Sequence, residues 1–261
     1  MTTTCYTLDN AWDRARHRLR LLEACHDPAT IRRLGDVGVG PGWRCLEVGG
    51  GGGSITRWLC SAVGPQGHVT AVDLDTRFLE EIDAGNLDVR RLDVTTDELP
   101  EGAFDLVHTR AVLVHLPTRE EVLDRLVAAL RPGGWIVLEE PDWYAIDALA
   151  SGLYQQTWAA LVAEVAGTGL NVVWARALPA LLAGRAVVGV AAESEVRLFE
   201  GGSSDAEFLR LTVRQLREAG LTAGIADAQL DAWDALLAEP GQWFPGPAFV
   251  AAQGRRALRQ I

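Results

Sequence analysis

This 261-residue sequence predicts an α/β fold with a doubly wound, mostly parallel sheet of seven strands. Three observations carry that expectation. Short β-forming runs alternate with helical patterns five times along residues 43–139, and the short connections suit a sheet covered by helices on both faces. The first apolar run, Cys45-Leu46-Glu47-Val48, passes directly into five glycines, Gly49 to Gly53, and then into a helical pattern. Successive strands stop at polar residues: Glu47, then Asp73, then Asp93, then His108-Thr109-Arg110. That collects chemical groups beyond the carboxyl ends of the strands, where an open α/β sheet binds its ligand.

The elements follow in order. Apolar positions Leu19, Leu21, Leu22, Ile31 and Leu34 recur with helical spacing, and Asp27-Pro28 divides the run into two predicted helices, with Asp27 capping the second. After the turn cluster Gly38 to Gly42, Trp43 to Val48 reads as the first strand and Thr56 to Val63 as a helix ended by Gly64-Pro65. His68 to Val72 is a second strand, Thr76 to Ala84 a helix closed by Gly85-Asn86, Leu87 to Leu92 a third strand and Phe104 to Thr109 a fourth. Glu120 to Leu130 is an amphipathic helix, and Arg131-Pro132-Gly133-Gly134 turns into a fifth strand, Trp135 to Glu139.

Past Pro141 the pattern changes. Trp143 to Leu182 is mainly helical, Val187 to Phe199 is β-branched, Ser204 to Ala219 is helical, and Phe244 to Ala252 reads as a last, antiparallel strand. The expected organisation is a helical lid over 1–34, an α/β core over 35–142, a helical insert or cap over 143–186 and completion of the sheet over 187–261.

Composition narrows the function. With 48% apolar residues the chain can bury one large α/β core with elaborations. It has no run of 18 apolar residues, and its first residues lack a basic flank ahead of an apolar stretch, so a soluble, cytoplasmic protein without membrane insertion is expected. A formal charge of −11 argues against a nucleic-acid partner, because binding to phosphates rests on clustered cations. Arg14, Arg16, Arg18 and Arg20 around His17 spread around a helix rather than forming a stripe. The sequence has no lysine, which excludes Schiff-base chemistry. Cys5, Cys25, Cys45 and Cys60 lack the spacing of a zinc site, and acids and histidines are scattered, so no metal is expected.

Five glycines between a strand and a helix read as a ligand-binding turn, since glycine accepts positive φ and lets a ligand approach the backbone. A dinucleotide site would require G-x-G-x-x-G, but the third position falls on Ser54 or Ile55. Glu47 would also repel a pyrophosphate at the helix N-terminus. An acid there suits a ligand with an ammonium and no phosphate.

On these residues the chain resembles the class I S-adenosylmethionine-dependent methyltransferases, whose first motif is E/D-x-G-x-G-x-G, here Glu47-Val48-Gly49-Gly50-Gly51-Gly52-Gly53. The resemblance runs from about Gly38 to Asp142 and implies the Rossmann-like methyltransferase fold. It implies S-adenosylmethionine as cofactor and S-adenosylhomocysteine as product. It further implies that Glu47, Gly49, Gly51 and Gly53 form the cofactor turn, that Asp73 holds the ribose hydroxyls with Leu74 against adenine, and that Asp93 and Val94 flank the adenine amino group. Thr109 and Arg110 would then lie beside the methionine part.

Within the class, His115-Leu116-Pro117, the Leu130-Arg131-Pro132-Gly133-Gly134 turn and the tail Phe249 to Arg256 look like small-molecule enzymes of ubiquinone and menaquinone biosynthesis and of bacterial specialised metabolism. The expected reaction is in-line methyl transfer to a small-molecule acceptor, an aromatic or polyketide-like metabolite. The alternatives are a same-fold enzyme that uses the cofactor's charge for cyclisation or decarboxylation, and a nicotinamide oxidoreductase. Candidate bases are His115, His108, Asp142 and Tyr144, with Glu140 behind them; Tyr6 and Trp143 are candidate substrate contacts. A homodimer is the alternative to a monomer.

Overall fold

The structure is a computed structural model and describes residues 8–258. Two compact units emerge from its contacts. One comprises residues up to Cys25, Pro141–Val173 and Glu195–Phe249; the other comprises His26–Glu140, Trp174–Ser194 and the chain from Val250 onward. Residues 143–173 and 174–186 therefore fall in different units. Tyr6 lies outside the described residues.

The second unit is built on the sheet. Strands β1 (Arg44–Val48), β2 (His68–Asp73), β3 (Leu87–Arg91), β4 (Phe104–Arg110), β5 (Leu130–Asp142), β6 (Val187–Glu200) and β7 (Trp243–Arg256) stand in the order β3-β2-β1-β4-β5-β7-β6. The pairs β2–β3, β1–β2, β1–β4 and β4–β5 are parallel. Strands β6 and β7 run antiparallel: Ala257 N donates to Ala186 O at 2.8 Å past one end and Gly201 N to Gln242 O at 2.8 Å past the other. The order reverses between β1 and β4, so the carboxyl ends of these strands border the switch point at which ligands bind.

Helix α2 (Ser54–Val63) has the strongest amphipathic pattern here, burying Ile55, Leu59, Cys60 and Val63 against Cys45, Val69, Leu106 and Val137 of the sheet, with Leu34 of helix α1 (Ala15–Asp36) in the same cluster. Helix α3 (Arg119–Ala129) buries Val122, Leu123, Leu126 and Val127. Gly134 sits where β5 leaves its bulge beside β4. A Cβ there would stand 2.8 Å from the carbonyl oxygen of Phe104, so the close strand approach requires glycine.

The first unit has an aromatic core. Trp158 and Trp233 meet edge to face at 5.6 Å, Tyr154 stacks parallel to Trp233 at 6.3 Å, and Phe244 and Phe199 extend the cluster. These rings come from α5 (Gly152–Val165), α8 (Asp227–Ala238) and the ends of β6 and β7; short helix α4 (Tyr144–Leu149) and α7 (Ser204–Glu218) pack Ile146 and Leu209 on the same core. The remaining helix, α6 (Leu178–Ala183), belongs to the sheet unit.

Four local expectations change. Helix α1 is continuous through Pro28 instead of splitting there. The proline removes one donor, but the turns beyond it are fixed by Leu34 in the core and by Thr30 and Arg33, which both bond Glu139. Residues 76–84 form turns rather than a helix: Glu80 N reaches Thr76 O, but Ile82 N pairs three residues back with Leu79 O, so the ladder does not propagate. Helix α8 is an additional element whose apolar positions Leu230, Trp233 and Leu237 have helical spacing. Strand β5 starts at Leu130, so the predicted turn is strand with a bulge.

Candidate functional site

Strand alternation divides the central polar residues between two faces of the sheet. Glu47, His108, Arg110 and Glu139 share one face through the registers Glu47↔His108 and Arg110↔Glu139; Thr109 and Glu140 share the other.

On the first face the polar side chains form a buried knot. The Thr56 hydroxyl donates to Glu47 Oε2 at 2.6 Å, and Glu47 is only 4% exposed. His108, 1% exposed, lies between two carboxylates, with Nε2 3.2 Å from Glu139 Oε1 and Nδ1 4.0 Å from Glu47 Oε1. Helix α1 supplies Asp27, Thr30 and Arg33. Arg33 donates to Glu139 at 2.5 Å, the Thr30 hydroxyl at 3.1 Å, and Arg110 bridges to Asp27 at 2.9 Å and Thr30 at 3.1 Å. Burial raises the Glu47 carboxyl above its ordinary value, and the charge of His108 opposes that rise. Burial also works to raise Glu139, but the His108 bond and charge, with Arg33 and Arg110, outweigh it and hold the carboxyl below its ordinary value.

The glycine turn leaves β1 with Gly49, Gly51 and Gly53 at φ of 72°, 54° and 85°. Three of the five glycines also answer to packing within the protein. A Cβ on Gly49 would collide with Val112 Cγ2, one on Gly50 would stand 2.8 Å from Leu79, and one on Gly53 would stand 2.7 Å from Ile82. Gly51 N donates at 3.0 Å to Oδ2 of Asp73 at the end of β2, while Oδ1 of the same carboxylate accepts from Asp75 N at 3.1 Å. Asp73 is half-buried, burial raises its carboxyl, and the neighbouring Leu74 is 39% exposed. Asp93 closes a comparable turn onto Thr95, whose N and hydroxyl donate at 2.9 and 2.6 Å; Val94 is buried beside it. Neither acid caps a helix.

On the second face, Glu140 is fully buried. Its Oε1 accepts from Val112 N at 3.2 Å, Leu113 N at 2.9 Å and the Thr109 hydroxyl at 3.4 Å, and its Oε2 accepts from Val114 N at 3.2 Å. This fixes the 3-10 turn Leu113–His115 that carries His115, which is half-buried. Just ahead stands Ala111, at φ 54° the one non-glycine residue with positive φ among the described residues. Such a conformation costs an alanine about 1–2 kcal/mol.

The structure therefore gathers Glu47, the glycine turn, Asp73, Leu74, Asp93, Val94, His108, Thr109, Arg110 and His115 in the sheet unit. Asp142, Trp143 and Tyr144 belong to the aromatic unit. There Asp142 is buried with Oδ1 accepting from Tyr144 N at 3.1 Å, and Trp143 packs edge-on against Trp158 at 4.5 Å. His108 and Asp142 were candidate bases at strand ends; both are sealed from solvent, at 1% and 0% exposure. Asp27, read from the sequence as a helix cap, instead lies inside α1 and bonds Arg110; Thr30 and Arg33 escaped the sequence reading, although the three-residue spacing of the trio marks a polar stripe along one helix face. Glu139-Glu140 ending an apolar strand was the corresponding signal on the sheet.

Residues 46–136 match a family profile described as a methyltransferase domain. This part of the chain is thus similar to a methyltransferase domain. Among curated relatives of this chain, the methyltransferase str3 of Strobilurus tenacellus is 33% identical over 114 residues, covering 42% of this chain and 40% of that protein. The ubiquinone/menaquinone biosynthesis C-methyltransferase UbiE of Ectopseudomonas mendocina (strain ymp) is 32% identical over 111 residues, covering 40% and 43%. The chain thus matches less than half the length of these relatives. Solved structures agree on the fold. The YcgJ protein of Bacillus subtilis superposes with a TM-score of 0.59 at 12% identity, over 89% of this chain and 99% of that one. Haemonchus contortus phosphoethanolamine N-methyltransferase 2, in complex with S-adenosyl-L-methionine, gives 0.54 at 18% identity, over 93% and 52%. Among the described residues, no helix is long and apolar enough to cross a membrane, and no three His, Cys, Asp or Glu side chains gather as a metal site.

Proposed function

We propose that the chain transfers a methyl group from S-adenosylmethionine to a small-molecule acceptor. One observation carries this reading: the Asp73 carboxylate at the end of β2 is held from two sides by Gly51 N and Asp75 N, beside the exposed Leu74. A carboxylate fixed at a strand end, half-buried and keeping further lone pairs, suits the two hydroxyls of a ribose, and Leu74 offers an apolar plate for adenine. Asp93 and Val94 would flank the adenine amino group. Glu47 lies beneath the glycine turn and disfavours a diphosphate there. Thr109 and Arg110 end β4 and would lie beside the methionine part; Arg110 is anchored by Asp27 and Thr30.

When bound, the cofactor supplies an electrophilic methyl group on a cationic sulfonium. The chain's own task is then alignment and exclusion of water, for which positioning can supply roughly 7–11 kcal/mol. An acceptor that carries a proton on its nucleophile needs a base, and we assign that to His115, which is half-buried on the turn after β4. The small-molecule acceptor is supported by the name of the UbiE relative and by the net charge of −11, which disfavours nucleic acid. The resemblance of the segment Phe249 to Arg256 to small-molecule enzymes supports the same reading.

Calorimetric titration with S-adenosylhomocysteine and with NADH tests the cofactor: binding of the first and not the second is expected, and the reverse overturns the reading. Incubation of cell extract with the protein and an isotopically labelled methyl donor, followed by mass spectrometry, identifies the acceptor. His115→Gln should then lower turnover at least tenfold while S-adenosylhomocysteine still binds; an unchanged rate removes His115 from the reaction.

A further inference from the structure

Four consecutive backbone N–H groups after β4 are held by two consecutive glutamates at the end of β5. Ala111 N donates to the backbone carbonyl of Glu139 at 2.8 Å, and Val112, Leu113 and Val114 donate to the side chain of Glu140. Amides that converge in this way form a nest for an anion. Here the anion is internal. The carbonyls of the same segment are held from the other side by Arg119, whose Nε reaches Leu113 O at 3.2 Å and whose Nη2 reaches Val114 O at 3.5 Å. The segment also touches the glycine turn: Val112 fills the space above Gly49 so closely that no side chain fits there.

We propose that Glu140 is a positioning residue that clamps residues 111–115, setting Val112 against the glycine turn and His115 beyond it. The effect on cofactor affinity rests on the methyltransferase reading; the clamp itself does not. Among the described residues, the carboxylate accepts from the Thr109 hydroxyl of β4 and the three amides of the segment and interacts at longer range with the Arg119 guanidinium of α3. Glu139 and His108 occupy the opposite face of the sheet. The ionised carboxylate is therefore the clamping form. Burial pushes its carboxyl up to about 7 against those four hydrogen bonds, so the clamp loosens on mild acidification.

Site-resolved amide hydrogen exchange and calorimetry with S-adenosylhomocysteine on the full chain test this. In Glu140→Gln, exchange at Val112, Leu113 and Val114 should quicken at least tenfold while amides of β1 and β2 keep their rates. The dissociation constant for S-adenosylhomocysteine should rise at least fivefold at pH 8, and the gap between the two proteins should close below pH 7 as the wild-type carboxyl takes up its proton. Unchanged exchange at 112–114, acceleration shared by all strands, or a gap that ignores pH would each overturn the clamp. Val112→Ala supplies a second variant: it should weaken S-adenosylhomocysteine binding without quickening exchange at 113–114, and unweakened binding would sever the segment from the turn. If the wild-type protein binds no S-adenosylhomocysteine, the cofactor reading falls while the exchange data still decide the clamp.

Discussion

Arg33 donates Nη1 to Oε2 of Glu139 at 2.5 Å, and the two side chains are only 4% and 1% exposed. The pair joins α1 to the centre of the sheet, at the last turns before the carboxyl ends of the strands. Without Arg33 the buried carboxylate would keep His108 and Thr30 but lose a charged partner. Arg33→Met should therefore cost about 3–5 kcal/mol in urea unfolding at pH 7. Replacing both residues with apolar ones should cost less than that single change. The Glu139 carboxyl is held below its ordinary value in the folded protein, so its stabilisation is present above about pH 4.5 and disappears as pH falls through the folded value. Acid unfolding of the wild type should be steeper than that of Glu139→Gln; equal slopes would contradict this account.

Glu140 should produce the opposite slope. Its folded pKa of about 7 lies above the ordinary 4.5, so the native state binds the proton more tightly than the unfolded chain does. Its contribution is full below pH 4.5 and is lost as pH rises to 7, by an amount on the order of 3 kcal/mol. Urea unfolding of wild type and Glu140→Gln between pH 5 and 8 measures the difference, which should grow in the variant's favour with pH. The charge that positions the segment thus works against stability, a trade often seen where a site is held ready for a ligand.

Gly49→Ala should be severe. Its φ of 72° strains any side chain, and the new Cβ would collide with Val112. Together these should cost about 2–4 kcal/mol. Val112→Ala in the same chain should recover the collision component but not the backbone component, so a partial rescue in thermal unfolding is the expected result.

Asp73→Ala removes the acceptor for Gly51 N and Asp75 N together with the proposed ribose contact. Affinity for S-adenosylhomocysteine should fall at least tenfold by calorimetry. Asp93→Ala should have a smaller effect, since the Asp93 carboxylate already serves the Thr95 turn. Equal losses would show that the two acids do not differ in role.

Trp233 is wholly buried between Tyr154 and Trp158. Trp233→Ala should destabilise the aromatic unit by about 3–5 kcal/mol in urea unfolding, whereas Trp243→Ala, at a position 64% exposed, should change stability by less than about 1 kcal/mol.

The strand cores and the glycine turn could be read in advance because their signals are local: apolar runs ended by acids, and glycines where φ turns positive. The same locality explains the errors. Pro28 signals a helix end by itself, yet Leu34 and the bonds of Thr30 and Arg33 to Glu139 carry α1 past it. Thr76 to Ala84 has helical composition, but its backbone bonds switch from four to three residues and stop.

The order of chemical groups along the chain was written in the sequence: Glu47 before the glycines, then Asp73, Asp93 and Arg110 at or just beyond strand ends. What each acid faces was decided only by tertiary structure. The alternation of side chains across β4 and β5 sends Glu139 to the α1 face, where His108 and Arg33 hold it charged, and Glu140 to the other face, where backbone amides surround it. Two adjacent, identical residues acquire opposite pKa shifts because a carboxylate's energy depends on its neighbours in space, which no local pattern specifies.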